Sequence, residues 1–388
     1  MELNAMHRQY DVAVLGAGIA GSAVAKALAD RGWETVLIDQ RQFPRHKVCG
    51  EFLSPESQAI LRALGLHEAV QSLQPSRINR TRLILNGGDA LELAMPGIAL
   101  GISRHSMDSM LHNEAVKAGV ELQTATTVTS VLPRDKGYTI QTKQNTEPRT
   151  VMARAVIAAW GASRRSGLPG PSPNSTAKKY IGIKSHFSGV EAEPVVELYF
   201  FSGGYIGVCP VEHGIVNITA LVEHDAFQGH AATITGLIEA AARRNPVICQ
   251  RLSQAVPIPG TQAAVAPVHL TRKPLAWDIL PRVGDAMLML PPLCGDGMSM
   301  ALRSAQLCSS FADSYLHGNL SLSQWKHEYS QSIRREFLGP LRWGWLIQSL
   351  VNKPILSTAA LRLARMTPRV ADRLLRATRL KEIDFLEL

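Results

Sequence analysis

A short apolar segment followed at once by closely spaced glycines constrains the fold near the start of this chain. Residues 11–15 form an apolar run typical of a buried parallel strand, and Gly16, Gly18 and Gly21 follow in a G-x-G-x-x-G pattern. We expect Gly16 to permit a tight turn and Gly18 to let the backbone approach a pyrophosphate. Gly21 would let the next helix pack closely against the strand.

A second strand and a terminal acid extend this pattern. Residues 35–38 (Thr-Val-Leu-Ile) are typical of a strand, and Asp39 follows them. The acid lies about 20 residues after the glycines, where a carboxylate can bind a ribose 2′-hydroxyl. The segment therefore predicts a dinucleotide-binding βαβ unit; the alternative is a glycine-rich turn in an α/β unit that binds no nucleotide.

Composition excludes several other classes of protein. The chain has 388 residues, of which 46% are hydrophobic and 19% charged, as in an ordinary globular protein. Its five cysteines include no C-x-x-C pair, so we expect neither a disulfide framework nor a metal site, and we expect a reducing, cytoplasmic compartment. We see no signal peptide or membrane span. The formal charge of +9 favours anionic lipid or an anionic substrate, and without a recognised binding motif we expect no nucleic acid partner.

The order of apolar segments predicts an α/β chain in three parts. A nucleotide-binding domain is expected from residues 1–80, 98–168 and 270–325. A β-rich substrate domain is expected from residues 81–97 and 169–269, with a Pro-, Gly- and Ser-rich boundary at 169–173. Residues 326–388 are expected to be helical. The β-rich insertion thus splits the nucleotide-binding domain and would cover its cofactor.

Three helix positions can be predicted in more detail. A helix is expected near residues 54–64. A second would begin with Ser106 as its cap and end at Gly119. A third would begin near Met298, with Asp296 as its cap.

Five segments together resemble a known family, the FAD-dependent oxidoreductases with the p-hydroxybenzoate-hydroxylase fold. This family includes group A monooxygenases, geranylgeranyl reductases and flavin-dependent halogenases. The segments are the glycine pattern with Asp39, residues 43–51 (similar to the K-x-C-G segment of geranylgeranyl reductases), Arg104 with Asp108 and Leu111, Gly284-Asp285 with Pro292, Gly295 and Gly297, and the strand 204–210 that ends in proline.

The resemblance implies a Rossmann-like FAD-binding domain of the glutathione-reductase-2 (GR2) type, an inserted β-sheet-rich substrate domain and a helical C-terminal tail. FAD is the implied cofactor, with NADPH or NADH as a candidate reductant. The residues that the resemblance assigns to FAD are Gly16, Gly18, Ala20, Gly21, Asp39, Arg45, Cys49, Gly50, Arg104, Gly284, Asp285, Pro292, Gly295, Gly297 and Met298.

Departures from the family pattern reduce the number of family activities that we expect of this chain. Trp160-Gly161 replaces the Asp-Gly of the hydroxylases, so the electrons come either from a pyridine nucleotide in a shared cleft or from a partner reductase. Halogenases carry a lysine after the G-E-x-x-x-P segment, and this chain has none between Lys47 and Lys117. We therefore do not expect halogenation.

Three residues are candidates for catalysis. Cys49 lies where the resemblance places a cysteine near the flavin ring, so its thiol is a candidate proton donor, assisted by Lys47; the alternative is an inert packed thiol. Tyr205 and the strands at 199–201 and 205–208 would line an apolar substrate pocket, or simply pack as alternating core residues.

The C-terminal tail combines apolar and basic residues. The apolar residues are Trp343, Trp345, Leu346, Leu350 and Val351, and Pro354 and Pro368 would divide the tail into helices. The basic ones recur every three or four positions at Arg362, Arg365, Arg369, Arg373, Arg376 and Arg379. Such a tail would rest on an anionic membrane surface, or it would cap the body with its arginines in solvent.

Three functions follow from these observations. The first is an FAD-dependent monooxygenase that hydroxylates a hydrophobic aromatic or polyketide-like small molecule. The second is an FAD-dependent reductase of isoprenoid double bonds, similar to geranylgeranyl reductases. The third is a flavoprotein that modifies a partner protein or a carrier-bound substrate.

Overall fold

Two β-sheets and a set of helices make up the fold. The computed structural model describes residues 9–162, 180–227, 229, 232–268, 270, 273–351, 359–360, 363–367 and 379–380. Over these residues the strands are β1 (Gln9–Leu15), β2 (Thr35–Ile38), β3 (Phe52–Leu53), β4 (Ser76–Ile84), β5 (Ala90–Gly101), β6 (Glu121–Gln123), β7 (Thr126–Arg134), β8 (Gly137–Gln144), β9 (Glu147–Ala158), β10 (Tyr180–Ser188), β11 (Val195–Phe201), β12 (Gly204–Pro210), β13 (Val216–Glu223), β14 (Val256–Pro257) and β15 (Ala263–Val268). The helices are α1 (Ile19–Ala29), α2 (Ser57–Ala63), α3 (His67–Ser72), α4 (Arg104–Lys117), α5 (His224–Phe227), α6 (Ile234–Ala242), α7 (Pro246–Arg251), α8 (Gly297–Leu316) and α9 (Leu322–Val351).

The first sheet contains the predicted βαβ unit. Its strand order is β6-β2-β1-β9-β8-β7, with β6, β2, β1 and β9 parallel and β8 and β7 antiparallel. Strand β1 is paired on both sides, so its apolar side chains are buried from Val12 to Leu15, as expected of a central parallel strand. Helix α1 packs between α4 and α8 on one face of this sheet. The carboxyl ends of β1 and β2 therefore open beside the N-terminus of α1.

The second sheet has nine strands in the order β14-β10-β13-β12-β11-β4-β5-β3, and β15 also pairs with β10. Its two faces differ because side chains alternate along each strand. On β12, Ile206 and Val208 pack with Ile238 of α6 in one apolar cluster. Tyr205 and Cys209 belong to separate clusters on the opposite side of the strand. Helix α6 thus packs on one face of the sheet, and the face with Tyr205 and Cys209 packs against other segments of the chain.

The C-terminal region packs against the first domain mainly through α8 and α9. Trp325, Tyr329 and Phe337 of α9 are buried in the same core as α1. Two of the predicted tail arginines are described, and both contact the body: Arg365 donates to the Ala90 carbonyl, and Arg379 pairs with Glu56 at 3.4 Å. Pro354, Pro368 and the other four arginines of the predicted stripe lie outside the described residues, as does the boundary at 169–173.

One helix prediction is confirmed and another needs correction. The helix expected near 54–64 is α2 (Ser57–Ala63), and a second helix, α3, follows it. Helix α4 is capped by Ser103 and not by Ser106, because the Ser103 hydroxyl accepts a hydrogen bond from the Ser106 N–H. Glu212 accepts from the Ser103 and Ser106 hydroxyls, at 2.5 and 2.6 Å, so a carboxylate from the turn between β12 and β13 fixes this helix start.

The predicted fold class is confirmed: a Rossmann-like α/β domain, a β-sheet-rich part and a helical C-terminal region. Among the described residues, no helix is long and apolar enough to cross a membrane.

Candidate functional site

The three pattern glycines each play a different part in the turn between β1 and α1. Gly16 has φ +116°, and a Cβ there would lie 2.4 Å from the Ala159 carbonyl oxygen. A Cβ on Gly21 would lie 1.8 Å from the Gly16 carbonyl oxygen, so helix and strand touch at this point. A Cβ on Gly18 would meet nothing closer than the Arg104 guanidinium at 3.9 Å. Gly18 therefore faces open space, where a ligand can approach the backbone.

This open space belongs to a cleft that joins the predicted motifs. It contains about 1060 Å³ free of protein atoms, open solvent included. Twelve of the predicted site residues line it: Gly18, Ala20, Lys47, Cys49, Gly50, Arg104, Gly284, Asp285, Pro292, Gly295, Gly297 and Met298. Segments that are far apart in the sequence thus meet at one site.

Four predicted residues lie behind the cleft wall. Gly16 and Gly21 support the turn, as described above. Asp39 is buried, and its carboxylate accepts hydrogen bonds from the Ala17 and Arg41 backbone N–H groups, both at 2.8 Å. Arg45 has a buried Nε without a hydrogen-bond partner among the described residues, and burial lowers the pKa of its guanidinium. The contacts that the sequence predicts for these residues with FAD stay predictions.

Tyr205 does not line the cleft. It is buried beside Phe200, Leu221 and Val268, and its hydroxyl has no hydrogen-bond partner in the described part of the chain. Burial raises the pKa of this phenol well above its ordinary value. Met289 packs against the same cluster and also lines the cleft, so the cluster adjoins the cleft through Met289.

A buried ion pair holds Arg104 at the cleft. Its Nε and Nη2 donate to the two carboxylate oxygens of Asp108 at 2.9 and 2.8 Å, one helical turn along α4. Burial opposes the charge of Arg104, but Asp108 and other anionic groups raise the pKa of the guanidinium above its ordinary value. The site therefore contains a permanent, oriented cation beside Gly18.

The segment from Gly284 to Met298 forms another wall. Gly284 has φ +58°, and a Cβ there would lie 2.9 Å from the Ala20 Cβ, so this segment packs directly on the start of α1. Gly295 has φ +73° and packs on the Phe52 ring. The Asp285 carboxylate lies 3.6 Å from the Lys47 ammonium.

Asp296 differs from its prediction. It occupies the position before α8, yet its side chain makes no capping hydrogen bond. Both carboxylate oxygens are buried and lack a hydrogen bond of normal geometry within the described residues. Burial raises the pKa of Asp296 to about 7, although Arg379 acts in the opposite direction. The predicted cap is wrong because the side chain turns into the protein instead of towards its own helix.

Cys49 has a partly buried thiol on the cleft wall. The Glu51 backbone N–H donates to its sulfur at 3.4 Å. Burial raises the pKa of the thiol, and the cations Arg104 and Lys47 offset only part of this effect. Cys49 is therefore a protonated thiol at neutral pH and not an activated thiolate.

The sequence did not predict a buried cluster of three charged or polar side chains behind Cys49. Glu51 also lines the cleft; its Oε1 accepts from the Lys184 Nζ at 2.5 Å, and its Oε2 lies 2.6 Å from the His186 Nε2. Lys184 and Glu51 are fully buried, and His186 is 4% exposed. Burial raises the pKa of the Glu51 carboxyl, but His186 and Lys184 outweigh it and hold that pKa below its ordinary value.

One pattern in the sequence could have identified part of this cluster. Lys184 and His186 are two residues apart in strand β10, which places both side chains on one face of the sheet. Glu51 has φ +58°, an uncommon conformation for a residue other than glycine, although sequence alone does not reveal it. In the part of the chain that the structure describes, no group of three His, Cys, Asp or Glu residues is arranged to hold a metal ion.

The cleft fits FAD on three counts. The N-termini of α1 and α8 both line it, at Gly18 and at Gly297, and each carries a partial positive charge. The Arg104 guanidinium adds a full positive charge beside Gly18. The missing side chain at Gly18 leaves room that a larger residue would fill.

Comparison with known proteins agrees with this assignment. The chain is 27% identical to a menaquinone reductase of Mycolicibacterium smegmatis over 80% of this chain and 78% of that protein. It is 26% identical to digeranylgeranylglycerophospholipid reductase 2 of Methanopyrus kandleri over 85% and 83% of the two chains. A triple mutant of the flavin-dependent brominase Bmp2 has a similar fold, with a TM-score of 0.80, 21% identity and coverage of 95% and 94%.

A family model described as FAD binding domain matches residues 9–323, which include the glycine turn, Arg104 and the segment that begins at Gly284. The cleft, its two helix N-termini and this match lead to one conclusion: the chain belongs to the FAD binding domain family of flavin-dependent enzymes.

Proposed function

We propose that this protein is an FAD-dependent reductase that saturates a double bond of a hydrophobic, isoprenoid-like substrate. The observation that carries the proposal is the protonated Cys49 thiol on the cleft wall. Reduction of a carbon–carbon double bond requires a hydride on one carbon and a proton on the other. FAD, when bound, supplies the electron pair; a protonated acid at the same cleft can supply the proton.

The proposed roles of the other residues follow from their positions. Gly18 and the N-terminus of α1 would hold the pyrophosphate, and Arg104 would add charge there. Asp285 would bind a ribityl hydroxyl, with Lys47 keeping its carboxylate in place. The apolar side chains Met287 to Leu290 would exclude water from the reacting carbons.

A second candidate function is FAD-dependent hydroxylation of a hydrophobic aromatic or polyketide-like molecule. The observation in its favour is the apolar cluster of Phe200 and Tyr205, which adjoins the cleft through Met289. An aromatic substrate could displace Met289 and reach the Tyr205 hydroxyl, which has no partner among the described residues. We rank hydroxylation second because Phe200 and Tyr205 are closed off from the cleft in this structure.

One experiment separates the two activities. The FAD-loaded protein is reduced with dithionite and mixed with geranylgeraniol, both with and without oxygen. A reductase gives a product two mass units heavier in both cases, whereas a hydroxylase gives a product sixteen mass units heavier and only with oxygen. A bromine- or chlorine-containing product in the presence of halide would contradict both proposals.

The remaining proposals concern organisation and partners. We retain the division into a discontinuous FAD-binding domain, a substrate domain and a C-terminal region with the boundaries given above. We propose a pyridine nucleotide or a partner reductase as electron donor, and a location in the cytoplasm with peripheral membrane contact. A carrier-bound substrate is the alternative, and stable co-purification with a carrier protein would favour it.

The membrane contact is proposed from one surface. Trp343 and Leu346 are exposed on α9 beside the exposed Arg342. The same part of α9 contacts Cys294, since a Cβ on Gly344 would lie 2.8 Å from the Cys294 sulfur. Cys294 belongs to the segment that forms a cleft wall, with its neighbours Pro292 and Gly295 lining the cleft. An apolar substrate could therefore pass from a lipid surface to the cleft over a short path.

A further inference from the structure

The His186 ring nitrogen has two hydrogen-bond partners with conflicting requirements. Its Nε2 lies 2.6 Å from the Glu51 Oε2 and 3.0 Å from the Lys184 Nζ. An ammonium group can only donate, and a carboxylate can only accept. One ring nitrogen cannot accept from Lys184 and donate to Glu51 at the same time.

Two placements of a single proton satisfy these contacts. With a proton on Glu51, the carboxyl group donates to Nε2; with a proton on Nε2, the ring donates to Glu51 and Lys184 turns its protons to the Glu51 Oε1. Glu51 and Lys184 are fully buried, and His186 is nearly so. Bulk water therefore does not screen the electrostatic interactions that set the relative energies of the two arrangements. Glu51 and His186 are therefore placed to exchange this proton, with Lys184 in contact with both.

Two further histidines connect this cluster with the surface. The His46 ring packs edge-on against His186, with 5.2 Å between ring centroids, and stacks on His105 at 5.0 Å. The His46 Nδ1 is buried and has no hydrogen-bond partner among the described residues. Both His46 and His105 are partly exposed, so a proton or a bridging water has a path from solvent to His186.

We propose that Glu51, Lys184 and His186 form a proton-exchange site behind the cleft, which is filled from solvent through His46 and His105. Its part in turnover rests on the proposed reductase function. FAD, when bound, would supply a hydride to one carbon of the substrate, and the Cys49 thiol would supply the proton to the other. The Cys49 thiolate then takes a proton from the cluster, and a solvent proton that passes His46 restores the cluster.

Several charged or titratable groups contact the cluster. The Arg104 backbone N–H donates to the Glu51 Oε1 at 2.9 Å, whereas the Arg104 guanidinium is paired with the Asp108 carboxylate. Cys209 donates to the Glu51 carbonyl oxygen, and burial raises the pKa of its thiol well above the ordinary value. Burial, together with Lys184, His186 and His105, lowers the pKa of His46 to about 4. His46 is thus neutral at physiological pH and passes protons on without storing them.

Histidine nitrogen NMR of the FAD-loaded protein tests this proposal without turnover. We expect the His186 Nε2 signal to lie between the positions of a protonated and an unprotonated ring nitrogen. Glu51→Gln should fix His186 in a single tautomer and move the signal to one of these two positions. The matched control is His327, an exposed residue that contacts Gln331 on α9, whose signal should not respond to Glu51→Gln. A His186 signal that stays in one tautomer throughout and ignores Glu51→Gln would overturn the proposal.

A second variant covers the case in which Glu51→Gln does not fold. His46→Gln leaves the three buried groups in place and removes only their connection with solvent. We expect at least tenfold slower exchange of the His186 ring proton with water; unchanged exchange would overturn the path. Because neither readout uses a substrate, a missing saturated product would contradict the proposed function alone, and a failed NMR test would contradict the proton site alone.

Discussion

Gly21 and Gly16 touch so closely that a Cβ on Gly21 would lie 1.8 Å from the Gly16 carbonyl oxygen. This contact fixes α1 on β1 and directs the helix N-terminus into the cleft. Gly18, two residues after Gly16, makes no such contact. The two kinds of glycine can therefore be separated by mutation, one acting on the fold and the other on the cofactor.

We expect Gly18→Val to abolish FAD retention while the protein still folds, because the added side chain would fill the space beside Arg104 without striking the backbone. Gly18 has φ −80° and ψ −174°, a conformation that valine adopts readily. Absorbance at the flavin bands and thermal unfolding of the purified protein measure the two effects.

The matched variant, Gly21→Ala, should lower the unfolding temperature of the FAD-free protein, because the added Cβ would collide with the Gly16 carbonyl oxygen and the backbone of the turn would have to move. A yellow, fully loaded Gly18→Val protein would contradict the assignment of the glycine turn to FAD.

Cys49→Ser should lower turnover of a prenylated substrate by at least a hundredfold, because an alcohol is a much weaker proton donor than a thiol. FAD content and the unfolding temperature should change little. Cys249→Ser is the control, since Cys249 is exposed and distant in sequence from the cleft residues. Unchanged turnover in Cys49→Ser would make Cys49 a packing residue.

Asp296 should make the FAD-free protein less stable as the pH rises. The pKa of this carboxyl is about 7 in the folded state and lies near its ordinary value when unfolded, so between pH 4 and 7 the folded state binds the extra proton. Stability from this group is therefore fully present below about pH 4 and is lost by pH 7. The loss is up to about 4 kcal/mol for a shift of this size.

Urea unfolding of wild type and Asp296→Asn at pH 4.5 and pH 8 measures this effect. The stability difference between the two proteins should shift in favour of Asp296→Asn at the higher pH. Equal differences at both pH values would mean that Asp296 is ionised or hydrogen-bonded in the folded state.

Trp343 and Leu346 provide a test of membrane contact. Trp343→Ser with Leu346→Ser should reduce co-sedimentation with anionic phospholipid vesicles at least fivefold, because both side chains are exposed and apolar. Leu132→Ser is the control, an exposed apolar residue at 47% on β7. Equal loss in the control, or no binding by the wild type, would contradict a specific lipid contact at α9.

Sequence alone predicted those parts of the fold that depend on local patterns. The turn at Gly16, the strand at 35–38 and the start of α8 at Gly297 all follow from residues close together in the chain. The motifs around Cys49, Arg104 and Asp285 were also found, because the family resemblance joins them.

What the sequence could not predict depends on contacts between distant segments. The cap of α4 shifted to Ser103 because Glu212, from the turn between β12 and β13, accepts its hydroxyl. The cluster at Glu51 exists only because β10 brings Lys184 and His186 to the back of the cleft. Asp296 looks like a helix cap in sequence, yet it lies near Arg379 in the folded chain.

The most direct test of the reductase function is anaerobic reoxidation of the flavin. The protein is reduced with one equivalent of dithionite, and geranylgeraniol is added without oxygen while the visible spectrum is recorded. We expect the flavin bands to return as one saturated product forms per flavin. A spectrum that stays bleached until oxygen is admitted, with a hydroxylated product formed only then, would contradict it.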